Sequence, residues 1–147
     1  MTIPTTNYTI ITIAIGATMS DLNKKFSKLT ETVMELRSEH GCPWDKRQTT
    51  TSLVKYLKSE FEELLAAIEN NDSENLCEEL GDLLFLIVMT SEINSETGTF
   101  NIGEVIEGVT QKLIRRHPHV FAGKTIMSEH ELREQWERIK AEEKSKN

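Results

Sequence analysis

The chain has 147 residues, enough for one domain of ordinary size with a core that needs no disulfide staples. Its formal charge is −7, from 24 acidic against 17 basic residues, which argues against general affinity for nucleic-acid backbones or anionic membrane surfaces. Two cysteines, Cys42 and Cys77, fit neither a disulfide framework nor a zinc knuckle, so a reduced, cytoplasmic protein is expected.

Residues 1–18 contain an apolar, β-branched run from Tyr8 to Ala17 with no Lys or Arg before Lys24, so the positive start of a secretory signal is missing and the run is too short to span a bilayer. They are expected to be an ill-ordered extension, with translation able to begin at Met19. From there the pattern is helical, with no alternating strand signal. Leu22, Phe26, Leu29, Val33 and Leu36 mark a first helix over about 21–38. HGCPWD breaks it, because Gly41 and Pro43 do not continue a helix. A second helix is expected over about 50–69, a third over 73–95, and a fourth over 102–116, ended by Pro118. Leu132, Trp136 and Ile139 mark a last amphipathic stretch over about 128–142, before a solvated tail at 144–147. The whole is expected to be an all-α antiparallel bundle, with 19–143 as its domain.

ENNDSEN joins the second and third helices, offering Asn70 and Asn71 for the turn and Asp72 or Ser73 as N-cap. So short a connection makes the helices antiparallel. Glu63 and Glu79 are then equidistant from Asn71, and so are Glu60 and Asp82, which sets the four acids level in pairs. On a helical wheel Glu60 and Glu63 border the core, while LGDLLFLIVM, around Asp82, is apolar nearly all the way round, so Glu79 and Asp82 are not expected on a solvated face. Four converging carboxylates raise one another's proton affinity unless a cation neutralises them, and an all-oxygen set suits a hard ion such as Mg²⁺ or Mn²⁺. The bland reading is an ion network with Lys or Arg of another helix, a poor stabiliser beside apolar packing.

GCPWDKRQT, the ExxE of Glu60 to Glu63, ELGDLLF with its ExxD, KLIRRHPHVF and WERIKAEE occur here in the order found in MazG-type nucleoside triphosphate pyrophosphohydrolases, and the resemblance runs from about Met19 to Glu143. It implies an all-α bundle working as a homodimer or larger assembly. It also implies Mg²⁺ held by Glu60, Glu63, Glu79 and Asp82, and cleavage of nucleoside triphosphates to the monophosphate and pyrophosphate. Many members carry a further acid before the ExxE, where this chain has Ser59. Glu60 or Glu63 is expected to take the proton of the attacking water. Lys112, Arg115 and Arg116 are expected to grip phosphates, their bland reading being a favourable cap on a helix C-terminus. The likeness also brings Trp136 and Lys140 toward the nucleotide or a neighbouring subunit. His40, Cys42, His117 and His119 are too irregularly spaced for a zinc site, and helix termination explains them better. Neither a nucleic-acid polymer nor a membrane is an expected partner. A narrower dUTP or dCTP pyrophosphatase, and a silent helical dimer that binds metal or nucleotide for regulation, are the alternatives.

Overall fold

The computed structural model describes residues 19–123, 125 and 128–145. The extension expected over 1–18 lies outside the described residues. Among those described the architecture is all-α without strands: α1 (Met19–Arg37), α2 (Pro43–Lys46), α3 (Thr50–Glu69), α4 (Ser73–Glu96), α5 (Ile102–Arg116), α6 (Pro118–Phe121) and α7 (Glu129–Lys144). The five long helices fall where periodicity puts them, within two residues at each end. The short helices α2 and α6 sit in segments read as breaks. In each a proline occupies the first turn, where its fixed φ and missing N–H suit a helix start.

The chain divides after Lys46 into two compact units. In the first, α1 packs on α2. Cys42 N donates to Leu36 O at 2.8 Å, and Arg37 Nη1 donates to Asp45 O at 2.6 Å. The return is tight enough that a Cβ on Gly41 would collide with the carbonyl oxygens of Glu35 and Leu36, which is why glycine stands there.

The second unit is organised by the α3–α4 hairpin. Thr49 caps α3 through a reciprocal pair of bonds with Ser52, and Asp72 caps α4 by accepting from Asn75 N at 3.1 Å. Between the helices Asn71 turns the chain at φ 54°, a left-handed conformation that asparagine tolerates better than most residues. At the far end Asn94 Nδ2 donates to Thr50 Oγ1 at 3.2 Å, so the start of α3 and the end of α4 meet and the pair is antiparallel. Leu53 and Met89, equidistant from Asn71, are both fully buried, with Ala67, Leu86 and Val88 completing the core of this unit. Each large side chain so buried contributes about 1.5–3 kcal/mol. α5 packs on α4, and α6 and α7 on α5.

The turn sets the level of everything on the hairpin. Asp72→Ala is expected to cost about 1 kcal/mol by removing the cap of α4. Asn71→Val is expected to cost about 1–2 kcal/mol, because a β-branched residue resists positive φ, whereas Asn71→Gly stays near wild type. Urea melts of the three variants check this.

Candidate metal centre

α3 and α4 each carry a pair of acids one turn apart, and the antiparallel hairpin brings them to matching heights. Carboxylate oxygens of Glu60, Glu79 and Asp82 all lie within 4.8 Å of one another. Glu79 is buried at 5% exposure, Glu60 is half-buried, and Asp82 is exposed in the single chain. Glu63 is also exposed, and its Oε1 accepts from Ser59 Oγ at 3.2 Å, so it stands outside the trio. It is still close enough that its charge acts on Glu79 more strongly than that of Glu60 or Asp82.

Glu63 lies at the edge of the core, beside the buried side of α3 that runs through Leu53 and Ala67, though it is itself exposed; the expectation for Asp82 is corrected. Asp82 does stand on a solvent-facing side: α4 buries Glu79, Leu86, Val88, Met89 and Ser91, while Leu80, Leu84 and Ile87 are exposed with it.

Glu79 is the electrostatic centre. Burial, then the charges of Glu63, Glu60 and Asp82 and a hydrogen bond with Glu60, push its carboxyl above the usual carboxylate range. Its Oε2 is buried and has no hydrogen-bond partner among the described residues. No Lys or Arg pairs with Glu60, Glu63, Glu79 or Asp82 among the described ion pairs. An oxygen-only donor set around an orphaned buried oxygen fits a hard divalent cation.

The basic residues gather elsewhere in the same unit. A cavity of about 650 Å³ between α5 and α7 is lined by Lys112, Arg115, Arg116 and Lys140, with Glu143 among them. Arg115 Nε donates to Glu143 Oε1 at 2.6 Å, and Arg116 Nη2 donates to Oε2 at 2.7 Å. The hydrogen bond from Arg116, more than that from Arg115, holds the Glu143 carboxyl below its usual range. Trp136 lies under Arg116 at 5.4 Å and under Lys140 Nζ at 4.5 Å, in the distance range of cation–π attraction. The five residues expected to meet substrate thus come together on α5 and α7, and none of the four acids lines their cavity. Glu143 escaped the sequence reading, although Trp136, Lys140 and Glu143 follow one another at helical spacing and so share a face of α7.

A family model described as the MazG nucleotide pyrophosphohydrolase domain matches residues 48–121. The match encloses all four acids and the basic end of α5, and stops short of Trp136 and Lys140. The "Nucleoside triphosphate pyrophosphohydrolase/pyrophosphatase MazG" of Thermotoga maritima is 43% identical over 128 residues, 87% of this chain and 49% of that protein. The "Nucleoside triphosphate pyrophosphohydrolase" of Escherichia coli K12 is 39% identical over 122 residues, 82% of this chain and 46% of that one. "Uncharacterized protein YabN" of Bacillus subtilis is 42% identical over 124 residues, 84% of this chain and 25% of that one. The chain thus spans a quarter to about half the length of these curated relatives. The crystal structure of a mazG-related protein from Thermotoga maritima superposes with a TM-score of 0.66 at 30% identity, covering 78% of this chain and 98% of that one.

The raised Glu79 carboxyl fixes a pH dependence. Because its folded value lies above its unfolded one, its contribution to stability is present below the ordinary carboxylate range and is lost as pH rises through the folded value. Without divalent metal, Glu79→Gln is therefore expected to melt above wild type at pH 8, with the gap closing toward pH 4. Adding Mg²⁺ at pH 8 is expected to raise wild type and leave the variant nearly unmoved. Thermal melts across pH, with and without Mg²⁺, measure both effects.

Proposed function

This chain belongs to the MazG nucleotide pyrophosphohydrolase family, and we propose that it hydrolyses ribo- and deoxyribonucleoside triphosphates to the monophosphate and pyrophosphate, with Mg²⁺ as its cation and Mn²⁺ as a substitute. The observation that carries this reading is the convergence of Glu60, Glu79 and Asp82 around a buried carboxylate oxygen that none of the described residues satisfies. Glu60, Glu63, Glu79 and Asp82 are the proposed ligands, Glu63 joining by release from Ser59. Residues 19–143 are the proposed working domain, in a reduced, cytoplasmic setting, with clearance of unwanted nucleotides as its role.

Bound there, Mg²⁺ supplies charge neutralisation for phosphate oxygens and acidifies an attacking water. The residues of the chain do the rest. The water's oxygen bonds to the α-phosphorus, the bond from that phosphorus to the bridging oxygen breaks, and pyrophosphate leaves with the electron pair. Glu60 or Glu63 takes the water's proton; Glu63, exposed and held only by a serine hydroxyl, is the more mobile acceptor. Lys112, Arg115, Arg116 and Lys140 meet the charge developing on the departing phosphates, and Trp136 holds Arg116 and Lys140 in place. Lys112 has no carboxylate partner among the described ion pairs, whereas the arginines are presented by Glu143. Phosphate therefore meets Lys112 directly and shares the arginines with Glu143.

Hydrolysis of a nucleoside triphosphate panel in ¹⁸O water tests the chemistry. Label is expected in the monophosphate, with unlabelled pyrophosphate as co-product. Label in pyrophosphate means attack at the β-phosphorus, and release of orthophosphate means a different reaction; either overturns the reading.

The partner proposed is a second copy of the chain. Leu80, Leu84 and Ile87 recur at helical spacing on α4, as Phe61, Leu65 and Ile68 do on α3, and all six are exposed in the single chain, apolar groups that a second copy would cover. Leu84→Lys is expected to shift the protein to monomer in sedimentation, and a wild type that is itself monomeric removes the dimer.

A further inference from the structure

The HPHVF segment does more than end a helix. His117 closes α5 and His119 lies in α6, their rings 5.6 Å apart, and both line a cavity of about 540 Å³ with Leu132 and Trp136. Arg116 lines this cavity and the basic one alike, so the two adjoin at that side chain.

The two imidazoles are held in opposite tautomers. His117 Nδ1 lies 2.7 Å from Leu113 O, and a carbonyl only accepts, so Nδ1 carries the proton and Nε2 of the neutral ring is an acceptor. His119 Nδ1 lies 3.2 Å from the amide nitrogen of Gln135, which only donates, so Nδ1 accepts and Nε2 carries the proton. Gln135 is itself buried at 5% exposure, an expensive place for an amide unless its bond is used. The two imidazoles thus offer one acceptor and one donor, each fixed by the backbone or by a buried amide, in an open cavity whose wall combines Leu132 and Trp136 with the charged side chains of Arg133 and Glu137. The described residues offer no third ligand that would make the pair a metal site.

We propose that this cavity takes the nucleobase of the substrate, with His117 Nε2 accepting from, and His119 Nε2–H donating to, the polar edge of the ring. The assignment rests on the nucleotide reading above: the triphosphate lies in the basic cavity, and Arg116 stands at the junction. Every natural base presents donors or acceptors on an exposed edge, and all but a few faces offer both, so the pair selects a base over none and tolerates several. The apolar part of the wall, Leu132 and Trp136, supplies the rest of the affinity by covering the ring.

The test compares a nucleoside triphosphate with base-free ribose 5-triphosphate on wild type, His117→Ala and His119→Ala. The preference for the nucleotide in kcat/KM is expected to fall about tenfold in either variant, the equivalent of about one hydrogen bond. A preference unchanged in both overturns the proposal, as does an equal loss on both substrates, which marks a merely structural role. If His119→Ala fails to fold because Gln135 is stranded, His119→Gln, which keeps a polar partner for it, and His117→Ala carry the measurement. Equilibrium binding of a nucleoside 5′-monophosphate against ribose 5-phosphate separates this idea from the hydrolase reading. A protein that hydrolyses nothing yet prefers the nucleoside monophosphate, and loses that preference in the histidine variants, keeps the base cavity and sinks the hydrolase. One that hydrolyses nucleotides with no histidine-dependent preference does the reverse.

Discussion

A carboxylate oxygen of Glu79 that is out of water and without a partner among the described residues is the constraint around which the hairpin is arranged. Leaving it unanswered costs a fold stability, and three further acids near it deepen the cost. Apolar side chains of similar size at these positions would hold α3 and α4 together better. The chain keeps the acids at matching heights on two helices joined by three residues, so the strain is built in by the same turn that defines the fold. A divalent cation removes both penalties at once, desolvation of Glu79 and repulsion among its neighbours, which is why the geometry and the family converge on one reading.

The serine at position 59 illustrates how one substitution redistributes that charge. Where the family resemblance implies an acid, this chain places a hydroxyl, which donates to Glu63, the acid that stands outside the trio. A carboxylate at 59 would have added repulsion and offered Glu63 no donor. Here Glu63 is satisfied without metal, while its charge still bears on Glu79. It is thus the acid that stands outside the trio, and the one that the proposed mechanism leaves freest to act as proton acceptor.

Much of this was legible in the sequence because it depends on counting. Helical periodicity found the long helices, and equal spacing from Asn71 put Glu60 opposite Asp82, Glu63 opposite Glu79, and, as the structure adds, Leu53 opposite Met89. Rotation about the helix axis was less legible. A wheel puts Glu63 at the edge of the core and cannot tell which side of an all-apolar helix such as α4 is covered within one chain. The short helices α2 and α6 were hidden because Pro43 and Pro118 signal the end of one helix and the start of another with equal force. Long-range pairs were hidden altogether. That Glu143 holds Arg115 and Arg116, or that Gln135 fixes His119, depends on how α7 docks on α5, which no local pattern encodes.

The charge distribution completes the physical picture. A chain of net charge −7 repels a polyanionic nucleotide at long range, yet counter-ions at physiological salt screen such a field over about 8 Å. What a bound nucleotide would feel on the proposed reading is local: Lys112, Lys140 and two arginines around one cavity, with Glu143 among them lining up the guanidinium groups. Glu143 holds the two guanidinium groups in place, so on that reading less side-chain freedom would be lost when phosphate arrives. It also sets a threshold. An anion binding there would have to offer more to the arginines than a carboxylate already does, and a triphosphate, with several oxygens to share among Lys112, Lys140 and the arginines, would meet that condition better than a single phosphate. On the proposed reading, selection for the charged end of the substrate lies in α5 and α7, apart from the acids of α3 and α4, so cation binding and anion binding are divided between two pairs of helices.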